Sequence, residues 1–318
     1  MKSRHRSRSH SQPRHCPPLP NHLLSRLLLR WARRFTPFRP LSVNILREIS
    51  SYYGFSPSLV TVHQENVYLL DLQRKLWKPL VQSRLQDRLF FPTHAAVHVS
   101  TAQVFLCGAG TNWTSGTSRR TLLIDDNRIV PLAEMVHRRA GHWAVYDEVT
   151  ISVYVFGGSD EKYQLLHSAE TYDFIQGKWK ELPSMCQANI VLPPCQHGRV
   201  IYLVGYSAVE TFGLLSHTFA ATNIQLPSPM DLAYIVIHEG LLCGTGSLHY
   251  YQWELTSGQL VTQKSQYNYM HHVPVRAMSA IVMGSQVYVF LSDDRFDCIN
   301  LNSGNQEDSN ELRFGKVA

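Results

Sequence analysis

Sixteen histidines and six cysteines are the side chains of this 318-residue sequence whose chemistry could go beyond packing. Imidazole and thiolate ligate metals or serve as base and nucleophile, and both uses require side chains that converge. The strongest candidates are His271-His272 and the pair His137 and His142. Successive side chains of a strand point to opposite faces, so 271 and 272 would not chelate one ion together there. The cysteines are scattered and form no C-x-x-C pair. Cys107, Cys243 and Cys298 lie inside apolar runs, where cysteine packs as a small hydrophobe. Neither a disulfide framework nor a zinc site is expected, and a reducing compartment fits this usage.

Other catalytic signatures are missing: there is no P-loop, no H-E-x-x-H, no G-x-S-x-G and no dinucleotide fingerprint between a strand and a helix. Cys243-Gly244-Thr245-Gly246 reads as the turn at the end of a strand, not as a phosphate loop. Asn112-Trp113-Thr114 has the form of a glycosylation sequon, which reads as chance in a chain with no secretory signal. The expectation is no catalytic residue, no metal, no cofactor and no enzymatic activity.

The elements that would position such residues are short strands. Apolar residues make up 44% of the chain and charged residues 17%, values of a globular protein with a sizeable core. Val, Ile, Thr and aromatic residues recur in brief runs broken by Gly, Asn, Asp and Ser. The clearest unit runs from Arg139 to Met185. It opens on Arg139-Ala140-Gly141-His142-Trp143-Ala144-Val145, continues through Val153-Tyr154-Val155-Phe156 and stops at Gly157-Gly158. After a polar loop come Ala169-Glu170-Thr171-Tyr172-Asp173, a turn at Gln176-Gly177, Lys178-Trp179, Leu182-Pro183 and Met185. Four runs separated by turns describe an antiparallel meander.

Degenerate copies share its spacing. The positions equivalent to Trp179 are 77, 129, 179, 219, 260 and 306, with intervals of 52, 50, 40, 41 and 46 residues. Their partners, equivalent to Tyr172, are Leu70, Ile124, Phe212, Trp253 and Ile299. Internal periods of this size signal stacked supersecondary units.

The glycine pair, Glu-x-Tyr-Asp, Gly-Lys-Trp and Leu-Pro-x-Met of residues 139–185 resemble a kelch repeat, one blade of a propeller. The resemblance implies an all-β, kelch-type β-propeller, most simply of six four-stranded blades, over residues 57–318. It also implies that Gly157 and Gly158 release the backbone from the second strand, and that Glu170, Tyr172 and Trp179 are structural residues of the repeat, the two aromatics buried between blades. The first unit begins at its second strand. The echo of Arg139–Ala144 in Arg313-Phe314-Gly315-Lys316-Val317-Ala318 suggests that the C-terminus supplies the outstanding strand, the alternative being the start of a seventh blade. Kelch-like propellers include galactose oxidase and a sialic-acid epimerase, but the radical Tyr, Cys and His set of the oxidase has no matching positions here.

Charge is distributed unevenly. Residues 1–40 hold ten Lys and Arg and no acid, so the remaining 278 residues carry 20 basic and 24 acidic side chains, a balance of −4. The globular part is thus a poor nucleic-acid binder. Residues 1–40 read as a largely disordered basic tail, with an amphipathic helix pattern at 22–35. The tail suits weak contact with RNA or another anionic surface, a nuclear signal or a mitochondrial transit peptide. Residues 41–56 read as a short helical linker. Leu41 to Tyr53 resembles the first half of an F-box, which would imply a ubiquitin-ligase adaptor, yet the second half is missing and a helix packed on the propeller or capping its first blade explains the pattern better. No stretch of about 20 apolar residues spans a membrane.

In a four-stranded blade, the loops joining strands two to three and four to one open on one face. Here these are the long, variable loops, among them 111–120, 159–168 and 292–295. Trp113 and Tyr163 beside Arg119, Arg120 and Arg295 have the aromatic-plus-arginine composition of interface hot spots. The expected function is a protein-interaction module, a scaffold or substrate adaptor that binds another protein through these loops. It would act as a cytoplasmic monomer, with a nucleus or mitochondrion as the tail's alternatives. The rival reading is a propeller enzyme with its site at a central channel.

Overall fold

The computed structural model describes residues 58–63, 66–71, 76–79, 95–100, 103–108, 117–125, 128–188, 190–206, 208–226, 232–246, 249–265, 277–283, 285–291, 296–303 and 306–307. All of them lie within one compact unit, Gly54–Ala318. The expectations for the basic tail, the 41–56 linker, His271-His272 and the Arg313–Ala318 strand fall outside the described residues.

Every regular element among them is a β-strand. The first sheet contains β1 (Ser58–His63), β2 (Asn66–Asp71) and β3 (Leu76–Pro79), and the second β4 (Ala95–Ser100), β5 (Gln103–Cys107), β6 (Thr121–Asp125) and β7 (Arg128–Pro131). The third is built of β8 (Trp143–Asp147), β9 (Ser152–Phe156), β10 (Ala169–Asp173) and β11 (Lys178–Glu181). β12 (Cys195–His197), β13 (Val200–Val204), β14 (Val209–Gly213) and β15 (Thr218–Ala221) form the fourth. The fifth holds β16 (Leu232–His238), β17 (Leu241–Gly246), β18 (His249–Glu254) and β19 (Leu260–Ser265). The sixth is made of β20 (Ala277–Met283), β21 (Gln286–Leu291), β22 (Phe296–Asn300) and β23 (Gln306–Glu307). Each sheet is an antiparallel meander in chain order, the all-β arrangement of a kelch β-propeller.

The inferred repeat register holds in all six sheets. Leu70 pairs with Trp77, Ile124 with Ile129, Tyr172 with Trp179, Phe212 with Phe219, Trp253 with Leu260 and Ile299 with Gln306. In the first sheet these pairs fall on β2 and β3, so β1 takes the place of a second strand.

The middle strands read as unbroken apolar runs because both of their faces are covered. β9 is the clearest case. Val153 and Val155 point into a core shared with Phe105, Cys107 and Leu123 of the second sheet. Tyr154 and Phe156, on the opposite face, join Ile201, Leu203 and Phe212 of the fourth. A third core joins the fourth and fifth sheets around Leu242 and Trp253, and another joins the fifth and sixth around Tyr250, Val287 and Leu301. The first strands of the sheets also meet: β1 touches β4 and β20, β4 touches β8, and β16 touches β12 and β20.

Two sequence-based expectations need correction. Trp179 is only half-buried, because it stands on the outer strand of its sheet, although its ring lies 6.0 Å from Phe105 of the neighbouring sheet. Cys243-Gly244-Thr245-Gly246 is the second half of β17 and not a turn; Gly244 is paired with both Ile235 and Tyr251.

Candidate partner-binding face

Alternating strand direction brings the second-to-third and fourth-to-first connections to one end of each sheet. At that end, hydrogen bonds stitch the connections of the second, third and fourth sheets together. Arg139 and Ser118 exchange backbone bonds at 3.2 and 3.3 Å, and Ala140 and Ser159 do so at 3.0 and 2.8 Å. Met135 N donates to Arg119 O at 2.8 Å, and Met185 N donates to His167 O at the same distance. Gln187 closes the next gap, donating to Ala208 O at 3.0 Å and accepting from Ala208 N at 3.3 Å. The result is a ribbon of connected loops rather than separate flexible ones.

Beneath the ribbon lies a buried ion pair. Arg139 Nη2 donates to Glu170 Oε1 at 2.5 Å, with both side chains fully buried. Its guanidinium also donates to Gly157 O at 2.7 Å, Ser168 O at 3.1 Å and Ser168 Oγ at 3.1 Å. Glu170 in turn accepts Val136 N at 2.7 Å and His137 N at 3.1 Å. One carboxylate and one guanidinium thereby tie β10 to the connection before β8 and to the loop after β9. Gly158 belongs to the same junction. Its φ is +88°, and a Cβ there would lie 2.5 Å from Ala140 O, so only glycine fits.

The most prominent side chain on the ribbon is Tyr163, 82% exposed at the tip of the loop between β9 and β10. The loop is held from below: Asp160 Oδ1 accepts Lys162 N and Gln164 N, both at 2.8 Å. Tyr163 adopts φ +59°, a conformation that non-glycine residues take at a cost of roughly 1 kcal/mol. The loop thus presents an exposed aromatic ring on a braced backbone. Leu165 and, on the next sheet, Tyr206 are about half exposed at the same end.

The inferred hot-spot residues are not all alike. Arg119 is exposed but engaged, its Nη2 2.9 Å from Glu134 Oε2. Arg120 is half-buried, which limits what it offers to a partner. Trp113 and Arg295 fall outside the described residues. His137 and His142 do not face one another: His137 pairs with Glu181 at 2.7 Å, while His142 is buried with its Nε2 3.4 Å from Cys107 Sγ. Among the described residues no three His, Cys, Asp or Glu side chains form a metal-ligating group.

On the far end of the sheets a second clamp joins the third and fourth. Asp147 Oδ1 and Oδ2 lie 2.9 and 3.0 Å from Arg199 Nη1, and Asp147 accepts from Thr150 and Gln196 as well. Burial opposes the charge of Asp147, but the bonds from Thr150 and Gln196 and the positive Arg199 outweigh it and hold its pKa below the ordinary carboxylate value.

Comparison with protein-family models finds the Kelch motif at residues 152–185. The chain carries a kelch motif. The matched stretch comprises β9, β10 and β11 with the Leu182–Met185 segment that follows, so the motif contains Glu170, Tyr172 and Trp179 and the whole Tyr163 loop. Arg139, which completes the partner set of Glu170, lies outside the match in the connection that precedes β8. A comparison with curated proteins returns no match. Arg139 and Glu210 were not singled out as site residues from sequence; the shared Glu-Thr dipeptide at 170–171 and 210–211 was the available signal.

Proposed function

We propose that this protein is a non-enzymatic interaction module, a monomeric scaffold or adaptor, that holds a partner protein on the face carrying Tyr163. The stitched ribbon is the observation that supports it: connections from three sheets are bonded into one surface, which exposes Tyr163 and Leu165 among charged side chains of both signs. In this reading the six sheets are blades of one ring, with β1 between β4 and β20 as the contact that closes it. Among the described residues no two cysteines form a disulfide, which suits a reducing compartment, and we assign the protein to the cytoplasm. Among the described residues no helix is long and apolar enough to cross a membrane.

The test is capture of partners from cell extract by the full chain and by the Tyr163→Ala/Leu165→Ser variant, with quantitative mass spectrometry. Proteins retained by the parent chain and lost with the variant, at unchanged melting temperature, are the expected result. Identical capture profiles would place the binding surface elsewhere.

A further inference from the structure

The kelch junction of the third sheet recurs in the fourth with one component missing. Glu210 occupies in β14 the position of Glu170 in β10, since their neighbours Phe212 and Tyr172 hold the same register against β15 and β11. Cys186 N donates to Glu210 Oε2 at 3.0 Å, as Val136 N does to Glu170 Oε2. Gly205 N donates to Ala208 O at 3.0 Å, as Gly157 N does to Ser168 O at 3.2 Å. Among the described residues no guanidinium reaches Glu210. Arg139 stands four residues after Met135, and the residue four after Met185 is Asn189.

Glu210 is 1% exposed, and its Oε1 has no hydrogen-bond partner. A buried carboxylate without a cation is among the costliest groups a fold can hold. The unsatisfied oxygen belongs to the ribbon end of β14, where the exposed Cys186 bonds the carboxylate through its backbone N. Two carbonyls match those that Arg139 uses: Gly205 O corresponds to Gly157 O, and Ala208 O to Ser168 O. Ala208 O already accepts from Gly205 N and from Gln187 Nε2, so an incoming guanidinium would take the place of the Gln187 amide there.

We infer that Glu210 is the receptor for an arginine side chain of the partner protein, which supplies in trans the guanidinium that Arg139 supplies in cis to Glu170. This rests on the partner-binding reading of the same face. Guanidinium is the fitting occupant because its forked donors serve a carboxylate and flanking carbonyls at once, as Arg139 does. Cys186, whose backbone N already bonds the carboxylate, has an exposed side chain at this point. The negative Glu210 already acts on that thiol and pushes its pKa up. Cys186 therefore reports on whether the carboxylate is neutralised or covered.

The probes are the blocked tripeptide Ac-Ala-Arg-Ala-NH2 and its lysine and citrulline analogues, titrated against the full chain. The readouts are binding by NMR saturation transfer and the rate of Cys186 alkylation followed by peptide mass spectrometry. The arginine peptide should bind at least tenfold tighter than the citrulline peptide and tighter than the lysine peptide, and should change the alkylation rate. Asn189→Arg should fill the vacancy from within, raising the melting temperature and abolishing peptide binding; Glu210→Gln should abolish binding without raising it. Equal binding of the three peptides, or arginine binding that survives both substitutions, overturns the inference. Partner capture that persists in Asn189→Arg overturns it too while leaving the partner-binding reading intact. Arginine-specific binding in a chain whose Tyr163 face retains no partner overturns that reading instead.

Discussion

Arg139 and Glu170, separated by 31 residues in sequence, meet with Nη2 and Oε1 2.5 Å apart and neither side chain exposed to solvent. Their contact is the pivot on which three segments of the third sheet converge. At the equivalent position of β6 the second sheet has Leu122, also buried, so an apolar residue is accommodated at that point of a sheet.

Removing one charge alone should therefore be severe. Arg139→Met leaves Glu170 buried beside two backbone donors but without its cation, at a cost of about 3–5 kcal/mol. The double variant Arg139→Met/Glu170→Leu should lose less than the sum of the single losses. Denaturant unfolding of the four proteins measures this; strictly additive losses would mean the two side chains act independently.

Tyr172 and Trp179 face one another across β10 and β11, but their burial differs. Tyr172 is 3% exposed and packs on Phe105 at 5.4 Å, while Trp179 is half-buried and keeps a bond from Nε1 to Ala133 O at 2.8 Å. Tyr172→Ala should cost about 3–5 kcal/mol, as for a core aromatic, and Trp179→Ala less. Thermal or urea unfolding in which the tryptophan variant is the weaker of the two would contradict this ranking.

Asp147 makes stability depend on acid. Its folded pKa is held below the ordinary value of 3.8, so the native state binds fewer protons than the unfolded chain in that range. The stabilisation is complete above about pH 4, the unfolded value, and is lost as pH falls through the lower folded one. Calorimetry of the parent and Asp147→Asn from pH 6 to pH 3 should show a gap in melting temperature that narrows below about pH 4. A constant gap would remove Asp147 from the acid response.

Tyr163 separates binding from stability. Because its φ is +59° and its ring is exposed, Tyr163→Gly relieves strain and removes little packing, so the melting temperature should stay level or rise slightly. Partner capture should nevertheless fall. A marked loss of stability would show that the ring is structural.

The basic segment offers a prediction from composition alone. Ten cationic residues without an acid in 1–40 should direct a reporter fused to them to the nucleus or mitochondria, or give salt-sensitive binding to RNA or acidic lipid. A fusion that stays diffuse and binds neither surface would mark the segment as inert.

The repeat, its register and the aromatic positions were legible in the chain by itself. Strand pairing preserves residue spacing: a turn of fixed length puts position 179 opposite 172 and position 219 opposite 212 wherever the residues between them form a hairpin. Conformational need was legible as well, since a glycine pair after an apolar strand announces the positive φ found at Gly157 and Gly158. The exposure of Tyr163 followed from its place in a polar loop. Other features depended on neighbours distant in sequence. Arginine usually stands in water, so nothing local in Arg139 announces complete burial; that is decided by a carboxylate 31 residues away. Arg119 looked available until Glu134 was found beside it. Trp179 is half-buried because its strand is the outermost of four, a property of the sheet and not of tryptophan. Glu170 and Glu210 sit in nearly the same local sequence, yet one is satisfied and the other is not. Pairing requires two groups within about 3 Å, and only the folded chain determines which groups come that close.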